Sequence, residues 1–163
     1  MVENLKELKD IKNLYRLLIF SVIFQIIPSF GLQIFGAILF MVVLVWAYFL
    51  KTKYFDDPFG KSHAVHVIKT IWNFSSFFVI GLVIGSIIFY INADQSTLTS
   101  YTDQIMSTGS VSEAEMESVM KQTIKDNLGL VIKIGLVTLG PSVLYLIVRI
   151  WSGYGNAGYE RRM

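Results

Sequence analysis

The only two histidines of the chain, His63 and His66, stand three residues apart, and Asp56 and Asp57 lie a short way upstream. Residues at that spacing share one face of a helix. Two imidazoles and a carboxylate can bind zinc or iron, which makes Asp57, His63 and His66 candidate metal ligands. The rest of a metalloenzyme signature is missing: HEXXH is absent, and there is neither a third histidine nor a cysteine. The stretch FDDPFGKSHAVHVIKTIW has a simpler reading. Asp, Pro and Gly favour a turn at DDPFG, and a helix then starts near Ser62, whose hydroxyl can cap it. The chain offers no Ser–His–Asp spacing, no phosphate-binding glycine loop and no pair of carboxylates within an apolar run. No catalytic residue, cofactor or nucleic-acid role is therefore expected.

These residues sit between long apolar segments. The 163 residues are 53% hydrophobic and 16% charged, with a mean hydropathy of +0.55. A soluble domain carries charge on about a quarter of its residues. Positions 17–50, 70–93 and 134–148 hold no charge at all. A membrane-crossing helix needs about 20 predominantly apolar residues. The runs do not alternate between apolar and polar, which excludes a β-barrel. The fold class is all-α integral membrane: a four-transmembrane-helix bundle, as a single membrane domain over 1–163.

The first apolar run is too long for one straight span, and Pro28-Ser29-Phe30-Gly31 breaks it. Spans are expected at about 14–29, 32–50, 71–91 and 128–151, with a loop at 92–127. The first two arms are short, so a re-entrant hairpin remains an alternative to two full crossings. Leu5, Leu8, Ile11 and Tyr15 recur at helical spacing and predict an N-terminal amphipathic helix on the membrane surface. Ser112 and Glu115 fit a capping box and predict a second amphipathic helix over about 113–126. Its face of Met116, Val119, Met120 and Ile124 is a candidate partner surface, since methionines adapt to varied contacts.

Within the spans, Gly81 and Gly85 form a GxxxG pattern. With Gly135 they are the expected helix-packing positions. Pro28 and Pro141 are the expected kinks. Gln25, Asn73 and Thr138 are candidate interhelical hydrogen-bond partners. Lys133 can reach back to the headgroups.

Basic residues cluster before span 1, between spans 2 and 3, and at the C-terminal end, whereas the 92–127 loop is acidic. The positive-inside rule then puts both termini in the cytoplasm.

Asp57-Pro58-Phe59 and His63-Ala64, at the entry to a third span, resemble a short motif of small bacterial four-span membrane proteins of unknown function. These are distantly similar to the Tic-type protein-import component of chloroplast inner envelopes. Arg149-x-x-x-Gly153-x-x-x-Ala157-Gly158 resembles the basic, small-residue tail of the same group. The resemblance implies a multi-pass protein of the bacterial inner (plasma) membrane that works with other proteins, and it carries over no catalytic residue. The expected function is a non-enzymatic accessory or scaffolding subunit. Its partners are the lipid bilayer and other membrane proteins, or a second copy of itself. The alternatives are a small channel or solute transporter, acting through the Pro141 kink, and a metal-dependent membrane enzyme.

Overall fold

The computed structural model describes residues 2–27, 29–108 and 112–158. Among them the chain forms seven helices and no strand: α1 (Val2–Ile26), α2 (Phe30–Lys53), α3 (Pro58–Asn92), α4 (Ser96–Thr108), α5 (Glu113–Asp126), α6 (Leu128–Thr138) and α7 (Gly140–Gly158). α2 and α3 are each long and apolar enough to cross a membrane. At 1.5 Å per residue they reach about 36 and 52 Å, against a hydrocarbon core of about 30 Å. α6 and α7 together pass the same test as one span bent by 43°. The bend falls at Leu139, just before Pro141, whose ring cannot donate a helical hydrogen bond. α1 does not qualify by itself, because its charged first half shares one helix with the apolar second half. Pro28, the other expected kink, lies outside the described residues.

Contacts divide the chain into two compact units. Unit 1 comprises residues 1–76 and 143–163, and unit 2 comprises 77–142. In unit 1, α1 and α2 are antiparallel arms. Gln25 Nε2 donates to the Gly36 carbonyl at 3.4 Å near the turn, and Asp10 meets Lys53 and Tyr54 at the far end. The core of unit 1 combines Ile11, Leu14, Tyr15 and Leu18 with Val43, Ala47 and Leu50, with Ala64 and Val67, and with Leu146 and Ile150 of α7. This differs from a surface-lying N-terminal helix. The apolar stripe of α1 finds protein partners on three other helices, and its core-facing side chains Ile11, Leu14 and Tyr15 are fully buried.

Helix starts follow local chemistry. α3 begins at Pro58, four residues before Ser62. Asp57 is its cap, accepting from the Phe59 amide at 2.8 Å, and Pro58 takes the first helical position, where its fixed φ suits a helix start. In unit 2 the expected helix over 113–126 is α5, with both capping-box bonds between Ser112 and Glu115 formed. The polar segment before it, within the expected 92–127 loop, forms α4, and Asp94 accepts from the Ser96 amide at 2.9 Å at its start.

Candidate functional site

A layer of polar side chains runs through the core of unit 1. His63 is fully buried and shares a hydrogen bond of 3.1 Å between its Nδ1 and the Tyr15 hydroxyl. Phe59 packs edge-on against the same imidazole, with centroids 4.7 Å apart. One turn along α3, His66 Nε2 lies 3.1 Å from the Arg149 carbonyl oxygen. A carbonyl can only accept, so this nitrogen carries the proton. Thr70 donates to the His66 carbonyl at 2.8 Å and receives Arg149 Nε at 3.4 Å. Gly153 of α7 closes the layer, because any side chain there would run into the Tyr15 ring.

The metal reading of Asp57, His63 and His66 meets a different geometry. The Asp57 carboxylate caps α3, and the histidines bond to a phenol and a backbone carbonyl. Among the described residues no group of three or more His, Cys, Asp or Glu side chains gathers as metal ligands. A buried polar layer with its hydrogen bonds made does other work: it admits one packing arrangement and penalises the rest. Sequence reasoning missed Tyr15, Thr70 and Arg149 as members of this layer.

At the open end of unit 1 the α2–α3 turn forms a cleft of about 600 Å³ lined by Glu7, Lys53, Tyr54, Asp56 and Asp57, among others. Burial of Asp10 works against its charge. Hydrogen bonds from Lys53 (2.6 Å) and Tyr54 (2.8 Å) override that and hold its carboxyl below the usual range. Glu7, one turn earlier, is 5% exposed. Burial, then the neighbouring Asp57 carboxyl, pushes it up to about 7, with the Gly60 backbone amide acting the other way.

Unit 2 is built differently. Among the described residues, those buried in it are Gly81, Gly85, Thr123, Asn127 and Ser142. A Cβ at Gly81 would strike the Thr138 carbonyl oxygen, and one at Gly85 would meet Ile134 Cγ2 at 3.0 Å and Thr138 Oγ1 at 3.1 Å. The GxxxG face therefore lies directly against α6. Gly135 does not share this contact, since a side chain there would meet nothing within 4 Å. Asn127 is the polar clamp of the unit. It accepts from the Asp94 amide at 2.7 Å and donates to the Asp94 and Thr123 carbonyls at 3.0 and 2.9 Å. Beside α3 and α6 runs an apolar groove of about 570 Å³, lined by Gly85, Ser86, Phe89, Val131, Gly135 and Leu139 among others. Met116, Met120 and Ile124 of α5 are about half exposed, and Val119 is partly covered.

The polar residues expected between helices divide in the same way. Gln25 joins α1 to α2, and Asn73 Nδ2 donates to the Tyr145 hydroxyl at 3.1 Å, joining α3 to α7. Thr138 donates to the Ile134 carbonyl of its own helix at 2.8 Å. No protein-family profile, curated protein or solved structure matches the chain.

Proposed function

We propose that the protein is a non-enzymatic, four-span accessory or scaffolding subunit of a bacterial inner-membrane assembly, and that unit 2 receives a transmembrane helix of its partner. One observation carries this reading. Among the described residues, unit 2 has no buried apolar side chain, although α6 and the outer half of α3 are strongly apolar. Leu136 and Val137 are 69% and 72% exposed. The groove between these helices is lined by Gly85, Ser86 and Gly135, and small residues let a second helix backbone approach closely.

A crossing by α1 is supported by its antiparallel pairing with α2 along the apolar segment. Its exposed stripe changes from Lys6, Lys9 and Arg16 to Phe20 and Ile23, as a helix passing from headgroups into lipid would. Trp72 donates to the Tyr48 hydroxyl at 3.2 Å, and exposed Lys51 and Lys69 sit one turn away on the same helices. Aromatic rings and lysines at one level mark a membrane boundary. This supports both termini on the cytoplasmic side.

A photo-reactive residue at Leu136, in cells at native expression, tests the proposal. It yields a discrete polypeptide adduct, while the same group at exposed Val45 on α2 labels lipid alone. Lipid adducts alone at both positions, or a monodisperse protein with no co-purifying partner, would sink it.

A further inference from the structure

An apolar groove of about 730 Å³ runs between α1 and α7 inside unit 1. Cavities of about 300–1,000 Å³ are the size of small-molecule sites. The walls are Ile19, Val22 and Ile23 on one helix and Ile147 and Ile150 on the other. Ile23 and Ile147 are about half exposed, so the groove lies open along its side. From residue 147 to 154 it follows α7 for about 10 Å.

The lining is graded along that length. Aliphatic side chains fill the end at Ile23 and Ile147. Trp151, 82% exposed, comes next, and then Tyr154, whose ring centroid lies 6.4 Å from that of Tyr15. That contact sets Tyr154 level with the turn of α1 that carries Arg16. Arg16 is exposed, and Lys12, four residues earlier, shares one face of α1 with Arg16, Ile19 and Ile23. Asp10 does not neutralise these cations, since Lys53 and Tyr54 of the α2 end hold its carboxylate. Among the described residues no carboxylate forms an ion pair with Lys12 or Arg16. Arg16 Nη1 donates one long bond, 3.4 Å, to Asn13 Oδ1. A guanidinium presents five N–H donors in a fork that matches phosphate oxygens, so most of this one is left for an anion.

The grading also selects the kind of occupant. Small residues let a second helix backbone approach, as Gly81 and Gly85 do in unit 2. The branched walls of the α1–α7 groove hold a backbone off but suit a thin hydrocarbon chain. Aliphatic wall, aromatic rings and then cations are the order in which a phospholipid presents its acyl chain, interface and phosphate. We infer that this groove holds an acyl chain of an anionic phospholipid from the leaflet on the Lys12 side, with Arg16 and Lys12 binding its phosphate. The inference rests on the crossing by α1 proposed above and not on what occupies unit 2.

Photo-labelling of the purified full chain in phosphatidylcholine nanodiscs tests the site. The probes are trace phosphatidylglycerol and trace phosphatidylcholine, each with the same photo-reactive acyl chain. Labelling over residues 19–23 and 147–155 is at least fivefold stronger with the anionic probe, and the preference at exposed Val45 on α2 is weaker. Arg16→Gln lowers the groove preference about fivefold and leaves Val45 unchanged. Gly155→Leu plugs the groove and lowers its labelling by both probes. A Cβ at Gly155 meets nothing within 4 Å, so this variant keeps the wild-type unfolding temperature. Equal groove labelling by the two probes, a preference unmoved in Arg16→Gln, or undiminished labelling in Gly155→Leu overturns the inference. A dimer that keeps both probes out would give the groove to a second copy and overturn it too. Labelling at Val45 with none in the groove would remove the crossing by α1, and the lipid site with it. A missing polypeptide adduct at Leu136 in cells changes none of these readouts, so the two proposals fail separately.

Discussion

In unit 1, Ile11, Leu14, Leu18, Val43, Leu50 and Val67 are closed off from their surroundings; in unit 2 no apolar side chain among the described residues is. Both units are helical and rich in aliphatic residues, so composition does not separate them. The difference lies in what drives helices together. Burial of apolar surface away from water closes the core of unit 1. Inside a bilayer that force is absent, and close backbone contact and hydrogen bonds replace it. Unit 2 shows those substitutes: Gly81 and Gly85 against Thr138, and Asn127 bridging two turns.

The contrast is most easily broken in its core. Leu14→Ala in unit 1 should cost about 2–5 kcal/mol of unfolding free energy. Leu136→Ala in unit 2 should stay within about 0.5 kcal/mol, as substitutions at exposed sites do. Detergent-solubilised thermal or denaturant unfolding measures both. Equal losses would mean that Leu136 is covered by something in the isolated protein.

Within unit 2, glycines on the two faces of the groove should respond in opposite senses. Gly81→Ala places a methyl group against the Thr138 carbonyl and should cost about 1–3 kcal/mol. Gly135→Ala enters open space and should be neutral or stabilise by up to about 1 kcal/mol through helix propensity. A matching loss at both sites would remove the distinction between the packed and open sides of α6.

The smallest effect is electrostatic and sets two acids of one helix against each other. Asp10 has a lowered pKa, so its contribution is present above the ordinary aspartate range and is lost as pH falls through the folded value. Glu7 runs the other way. Asp10→Asn should cost about 0.5–1 kcal/mol at neutral pH, because the partner Lys53 is partly solvated, and almost nothing at pH 3. A cost that persisted at pH 3 would show that packing, not charge, holds Asp10 in place.

Much of the helical framework was legible from local pattern. The charge-free runs give α2 and most of α3, and Ser112 with Glu115 gives the start of α5. The start of α3 was also within reach. Asp57-Pro58 is a cap followed by a first-turn proline, a stronger signal than Ser62. The polar layer was not legible. His63 finds Tyr15 across 48 positions, and His66 finds the Arg149 carbonyl across 83. Periodicity shows that α1 has an apolar stripe but not whether lipid or protein covers it, and that choice separates a surface helix from a core helix. Glu7 was hidden for the same reason: a glutamate near a chain start reads as solvated until the helix bearing it is seen to be packed.

Unit 1 is discontinuous, and this bears on how the chain is made. Its first three helices leave the ribosome well before residues 143–158, which supply Leu146, Ile150 and the Gly153 that seats Tyr15. At 5–20 residues per second the delay is roughly 3–13 s. Throughout that interval His63, His66 and Tyr15 stand beside an empty fourth position. The nascent chain needs shielding until α7 arrives to complete unit 1.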